Sequence, residues 1–249
     1  MKKMPAATLI ASALALVAVF SSSPSRALTL LTEENPPLNH TENGKLTGMA
    51  TEVVAEMAKR AGIKANTEVM EWKTAYRRAQ GDRDTCLYAT ARLENRERIF
   101  TWVGPIAVSH WVLFAKEGFT PRVGSLSDLR TFRIGGVTFD AKTEYLKQNG
   151  VTNIFEVTDD KLNPGKLTLD RKETGRIDLW ITNGARARLV AAQAGVKDIK
   201  PVYTVREDES YLACSPRTAA QTVKALASAL ASIKKDGTYK KIIERYDTR

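Results

Sequence analysis

The chain has 249 residues, with 38 Lys and Arg against 28 Asp and Glu, and a formal charge of +10. The positive charges are scattered among acids and form no basic stripe with stacking aromatic residues, which argues against a nucleic-acid partner. The two cysteines are too few for a disulfide scaffold and lack the spacing of metal ligands.

Residues 1–27 have the layout of a cleaved secretory signal. Lys2 and Lys3 precede an apolar run that ends at Phe20, and small residues lead up to Ala27. The run is too short and too weakly flanked for a transmembrane helix. No cysteine stands near the cleavage point to accept a lipid. We therefore expect a soluble periplasmic protein, cut after Ala27 and not a lipoprotein, whose formal charge falls to +7 without the three basic residues of the signal.

The remaining chain can form one large domain or two lobes of ordinary size. Its first part alternates between strands and helices, and Asn43-Gly44 marks a turn. The predicted elements are strands over 28–32, 66–71 and 84–90, and helices from about Thr51 to Gly62 and over 72–80. This alternation implies parallel strands that are joined by crossover helices.

The second part repeats the alternation after an extended segment at 107–115 and a linker-like loop at 116–128. Strands are predicted over 132–137, 154–157, 176–182, 200–204 and 209–215, and helices over 141–148, 167–174 and 185–194. Two further helices have apolar faces, formed by Val223, Leu226, Leu230 and Ile233 and by Tyr239, Ile242, Ile243 and Tyr246.

Open parallel sheets bind ligands at the carboxyl ends of their strands, so two such sheets imply a cleft. Residues 33–35, the loop at 89–96 and the turn before Asp140 converge there. Arg92 and Arg96 lie in this loop, and a guanidinium group presents donors that match a carboxylate. The alternative is a surface loop with solvated arginines.

Five motifs occur in the order found in a known family. They are PPLNHTENGKLTG at 36–48, NRERIFTWVGPI at 95–106, DLRTFRIGG at 128–136, GRID at 175–178 and KKDGTYKKIIERY at 234–246. Together they resemble the type II periplasmic solute-binding proteins of ABC importers, specifically the polar amino-acid-binding proteins of bacterial extracellular solute-binding protein family 3.

This resemblance implies an α/β fold of two lobes, each an open, mostly parallel sheet flanked by helices, with two crossing hinge strands. Lobe one would comprise residues 28–110 and 206–249, and lobe two residues 111–205. A monomer without a cofactor or metal would capture a small polar, amino-acid-like ligand and deliver it to an ABC permease in the inner membrane.

The resemblance also assigns roles to single residues. Arg96 matches the arginine that binds the α-carboxylate of the ligand. Leu93 replaces a threonine of the family pattern, while Arg92 adds a second positive charge. Asn183 stands where an acid normally pairs with the ligand ammonium group. Because burial of an unpaired ammonium is costly, an ordinary zwitterionic amino acid fits less well.

Other predicted contact positions also depart from the family pattern. Asp140 and Ala141 replace small hydroxyl residues, and Asp140 is also a plausible helix cap. Asn35, with Glu34 beside it, replaces a stacking aromatic residue. This more polar lining suits a ligand that bears both signs of charge or several hydroxyl and amide groups.

Some candidates keep alternatives open. Trp72 and Tyr76 could line the cleft or belong to the core, and Thr90 ends the strand before the arginine loop. Cys86 and Cys214 could be two buried thiols. The resemblance instead places them on adjacent antiparallel strands of lobe one, where they could form a disulfide.

Two rival functions remain. Some dehydratases share this fold family, and Glu34 and Asp140 could supply the acid and base of a cyclohexadienyl dehydratase-like reaction. The alternative is a sensory role, in which the liganded protein contacts a receptor. His40 and His110, the two histidines of the chain, suggest no metal site.

Overall fold

The structure is a computed structural model that describes residues 27–170 and 172–246. The apolar run of the predicted secretory signal lies outside these residues. Among the helices that are described, none is long and apolar enough to cross a membrane.

The described chain alternates between strands and helices as the hydrophobic pattern predicts. The strands are β1 (Leu28–Thr32), β2 (His40–Glu42), β3 (Lys45–Thr47), β4 (Ala65–Val69), β5 (Thr85–Ala91), β6 (Thr101–Lys116), β7 (Ile134–Val137), β8 (Ile154–Val157), β9 (Leu179–Asn183) and β10 (Ile199–Cys214). The α-helices are α1 (Met49–Arg60), α2 (Trp72–Gly81), α3 (Ala141–Gln148), α4 (Asn163–Thr168), α5 (Ala187–Gln193), α6 (Ala220–Lys235) and α7 (Thr238–Glu244).

Eight strands form one sheet in the order β4-β1-β5-β10-β6-β9-β7-β8. β4, β1 and β5 pair in parallel, and so do β8, β7 and β9. β6 and β10, of 16 residues each, run antiparallel through the middle and join the two sets. We call β4, β1 and β5 with their helices the first half, and β9, β7 and β8 with theirs the second half. This architecture confirms the predicted α/β fold class.

Each half has its own apolar core. In the first half, Val53 and Met57 of α1 and Leu226 and Leu230 of α6 are buried in one cluster with β1 and β5. In the second half, the apolar residues of β7 and β9 pack against α3 in a separate cluster. The predicted lobe boundaries, at 110/111 and 205/206, fall within β6 and β10 and stay a prediction.

Three predicted elements differ from the structure. The predicted helix at 167–174 is wrong, because the chain forms α4 earlier, with Pro164 in the first turn, where its missing N–H costs nothing. The predicted strands at 200–204 and 209–215 are parts of the single strand β10. Its middle alternates exposed Glu207 and Glu209 with buried Asp208 and Ser210. Burial thus alternates with a period of two, as in a strand with one buried face, but the buried residues are polar instead of apolar.

Cys86 and Cys214 form a disulfide bond. They lie directly opposite each other on β5 and β10, which pair antiparallel, and both are wholly buried. The structure therefore confirms the pairing that the resemblance implied.

Replacing both cysteines by alanine is expected to lower the free energy of unfolding by about 2 to 5 kcal/mol. The bond closes a loop with a sequence separation of 128 residues, so its loss frees a large part of the unfolded chain. Urea denaturation of the wild type and the double variant measures this difference. Equal midpoints and slopes would contradict it.

Candidate functional site

A cleft with two adjoining chambers lies between the halves. The larger chamber holds about 330 Å³ and the smaller about 30 Å³. Both are lined by Glu33, Trp72, Asp140 and Lys142. The first three of these follow the carboxyl ends of β1, β4 and β7, which is where open parallel sheets place their ligands.

Arg96 lies where the two halves meet, and it is wholly buried. Its Nε and Nη2 donate to Glu144 Oε2 at 3.0 and 2.8 Å, and Nη2 also donates to the Phe139 carbonyl at 2.7 Å. Its guanidinium carbon lies 5.0 Å from the ring centre of Tyr76 and 5.8 Å from that of Trp72. Nη1 has no hydrogen-bond partner in the described chain. Glu144, on the opposite half, thus balances the buried charge of Arg96, and Nη1 is the nitrogen that remains without an acceptor in the described chain.

The segment before α3 is held by the first half. Trp72 Nε1 donates to the same Phe139 carbonyl at 2.9 Å. Phe139 has a φ of 61°, a left-handed conformation that is uncommon for a bulky residue. The cations of Lys73 and Arg77 lie 5.7 and 5.8 Å from its ring centre. Trp72 Nε1 and Arg96 Nη2, both of the first half, therefore donate to the same carbonyl of the second half.

Arg186 makes another contact between the halves. Its Nη1 donates to Asn35 Oδ1 at 3.0 Å, and its Nη2 lies 3.7 Å from Asp160 Oδ2. Asp160 accepts hydrogen bonds from Trp180 Nε1 at 2.7 Å and Thr182 Oγ1 at 2.8 Å. Because these bonds hold Asp160 in place, it orients Arg186 towards the loop after β1.

Asp140 caps α3, as the sequence suggested. Its Oδ1 accepts from the Lys142 backbone N–H at 2.8 Å, and its Oδ2 pairs with Lys142 Nζ at 2.8 Å. Burial opposes ionisation of this carboxyl group, but the Lys142 ammonium and these hydrogen bonds hold its pKa below the ordinary value. The pair is therefore charged and internally balanced.

Two other carboxyl groups of the cleft are less well compensated. Burial raises the pKa of Glu33 to about 7, against the opposing effect of Arg186. Burial likewise raises the pKa of Asp208 to about 6, although Arg206 Nη2 lies 3.0 Å from its Oδ1. Asp208 Oδ2 has no partner among the residues that the structure describes. Both groups face the small chamber.

Six of the nine predicted ligand-binding residues line these chambers. They are Glu34, Asn35, Trp72, Arg96, Asp140 and Asn183. Glu34 lines the larger chamber and accepts hydrogen bonds from the backbone N–H and the hydroxyl group of Thr41. Asn183 is buried and accepts from the Ala185 N–H at 3.2 Å. Their roles towards a ligand stay predictions.

The other three predicted residues lie outside both linings. Tyr76 packs beneath the guanidinium of Arg96, and Thr90 is buried and bonds the Leu87 carbonyl within its own strand. Arg92 pairs with Glu97 in a separate surface groove. Arg92 and Arg96 are four positions apart on one loop but line different pockets. Sequence spacing alone therefore could not show which of the two lines the cleft.

The structure adds charged residues that the sequence reasoning did not single out as binding residues. They are Glu33, Lys142, Glu144, Asp160, Arg186 and Asp208. Asp160 and Arg186 follow the carboxyl ends of β8 and β9, so their position after a strand was a usable signal. Glu144 and Asp208 gave no such signal, because one lies inside a helix and the other inside a strand.

Comparison with known proteins agrees with this architecture. A probable amino-acid-binding protein, YxeM of Bacillus subtilis (strain 168), is 24% identical over 219 residues, which cover 86% of this chain and 81% of that protein. The sensor domain of a histidine kinase with similarity to periplasmic binding proteins superposes with a TM-score of 0.78, at 18% identity over 89% of this chain and 96% of that one. An ancestral arginine-binding protein bound to arginine superposes with a TM-score of 0.75, at 22% identity over 89% of this chain and 98% of that one.

The family model of the bacterial extracellular solute-binding proteins, family 3, matches residues 28–248. This match covers the five motifs, the two long central strands and every residue of the cleft described above. The chain belongs to the bacterial extracellular solute-binding proteins, family 3.

Proposed function

We propose that the protein is exported, with its leader cut after Ala27, and that it captures a small polar ligand between the two halves and delivers it to an ABC importer in the inner membrane. The observation that supports this most directly is the cleft itself. Its chambers are lined by both halves, and Arg96, Trp72 and Arg186 connect the halves directly. A ligand that bridges the halves stabilises the closed form by its differential affinity for that form.

A sensory role is the second candidate, because a sensor domain of a histidine kinase has the same fold. In that case the closed form would contact a receptor instead of a permease. Uptake of the ligand by cells that lack the gene separates the two roles. Lost uptake supports transport, whereas normal uptake with a lost transcriptional response supports sensing.

Arg96→Ala is expected to weaken ligand binding by at least about tenfold, because the loss of charged hydrogen bonds between the halves disfavours the closed form. The variant removes the donors that hold Phe139 and Glu144 of the second half. Isothermal calorimetry measures the affinity, using whichever compound raises the melting temperature most in a panel of amino acids, amines and hydroxylated molecules.

Arg98→Ala is the matched control. Arg98 lies two residues away on the same loop but is exposed, so its removal should leave the affinity unchanged. Equal affinities of wild type and Arg96→Ala would contradict the role of Arg96. Turnover of prephenate or arogenate, without stabilisation by any compound of the panel, would replace the binding function by the enzymatic one.

A further inference from the structure

The chain supplies its own carboxylate to Arg96. Glu144 Oε2 occupies both Nε and Nη2, the two N–H groups on one edge of the guanidinium. A bidentate pair with a ligand carboxylate needs two parallel N–H groups. Nη1 alone is without a partner in the described chain. A ligand carboxylate that binds Arg96 in a bidentate manner would therefore have to displace Glu144 or the Phe139 carbonyl, whereas a single acceptor atom could use Nη1 without disturbing either.

The larger chamber carries an excess of acids. Its charged lining consists of Glu33, Glu34, Glu71, Asp140, Asp159 and Asp160 against Lys142, Lys161 and Arg186. Asp140 pairs with Lys142, and Asp160 lies beside Arg186. The remaining charged residues of this lining are one cation, Lys161, and four acids, which are Glu33, Glu34, Glu71 and Asp159. The chamber is therefore acidic, although the sequence as a whole is basic. A cleft lined by one sign of charge raises the local concentration of ions of the opposite sign.

The small chamber contains an acceptor without a donor. Asp208 is only 4% exposed, and its Oδ2 makes no hydrogen bond within the described residues. Glu33 also faces this chamber and makes no ion pair with any residue that the structure describes. Oδ1 of Asp208 pairs with Arg206, so Oδ2 is the atom that needs a donor, because a buried polar atom without a partner is costly. The space of about 30 Å³ beside Asp208 and Glu33 has room for a group of the size of one water molecule or one ammonium.

We propose that the cleft binds an aliphatic cation that has no carboxylate, such as an alkyl diamine or an aminoalkyl guanidine. One ammonium group lies in the small chamber against Asp208 and Glu33. The alkyl chain passes Trp72, and the distal cation lies in the acidic larger chamber. This inference rests on the proposed binding function and specifies the chemical class of its ligand.

Matched pairs of compounds test the proposal because their members differ only in the carboxylate. Agmatine is compared with arginine, cadaverine with lysine, and putrescine with ornithine, by thermal shift and calorimetry on the mature protein. At least one decarboxylated member is expected to bind at least tenfold more tightly than its parent amino acid.

Equal or tighter binding of the parents would overturn the proposal, and would assign their carboxylate to Arg96 or Arg186. Absence of binding by all three amines would overturn it as well. In either case the solute-binding function survives if another compound of the panel stabilises the protein. A different result would contradict the solute-binding function itself, namely turnover of prephenate or arogenate without stabilisation of the protein by any compound of the panel.

Two variants locate the groups responsible. Asp208→Asn keeps the shape of the side chain and is expected to weaken binding of the preferred amine at least tenfold. Glu207→Gln, on the neighbouring exposed position, is its control and should have no effect. Glu144→Gln leaves Arg96 without its balancing charge, so the ratio of parent to amine affinity should rise at least tenfold. Urea denaturation confirms that each variant is folded.

Unchanged amine affinity in folded Asp208→Asn would contradict the small-chamber assignment. An unchanged ratio in folded Glu144→Gln would show that Glu144 does not exclude ligand carboxylates.

Amine affinity is also expected to fall at least tenfold between pH 7.5 and 5.5. The raised pKa values of Glu33, about 7, and Asp208, about 6, mean that both take up protons in this window. Alkyl ammonium groups stay charged there. The charged groups that act on these two carboxyl groups are Asp140, Lys142, Asp160 and Arg186 for Glu33, and Arg96, Asp140, Lys142 and Arg206 for Asp208. Calorimetry of wild type and the double variant Glu33→Gln/Asp208→Asn measures the change, and a flat profile for wild type would contradict it.

Discussion

The antiparallel pairing of β6 and β10 is the constraint on which the rest of the structure depends. These two strands are the only connection between the halves within the sheet of the described chain. They also form one wall of the small chamber, through Ser109, Trp111, Asp208 and Ser210. The same pair of strands therefore determines both how the halves are joined and which polar groups face the cleft.

This double role explains the unusual polarity of β10. A strand in a core buries apolar residues, but here Asp208 and Ser210 are buried and the acids beside them are exposed. The buried face of this segment borders a cleft. A polar group buried there is costly unless something pairs with it. Asp208 Oδ2, unpartnered in the described part of the chain, is therefore more informative about the ligand than the paired charges around it.

The cleft combines charges that are balanced within the protein with charges that are not. Arg96 with Glu144 and Lys142 with Asp140 are complete pairs. Removing one partner of such a buried pair leaves an uncompensated charge. Of the two, the Arg96–Glu144 pair joins the halves, whereas Asp140 and Lys142 both belong to the second half. The resemblance predicts that Arg96 is the family's carboxylate-binding arginine, but its immediate partner in the structure is Glu144 of the same chain. The family match and the similar structures establish the family and the fold, while the proposed ligand class rests on these local pairings.

The sequence by itself determined the alternation of strands and helices, the family and the segments that meet at the cleft. Local hydrophobic periodicity, turn residues and ordered motifs contain this information. It also identified Arg96, Asp140 and Asn183 as lining residues. Only the tertiary structure placed Glu144 on Arg96 and left one oxygen of Asp208 without a partner among the residues it describes. The reason is physical: an ion pair between residues 48 positions apart depends on how two halves of a sheet close on each other, and no local pattern records that.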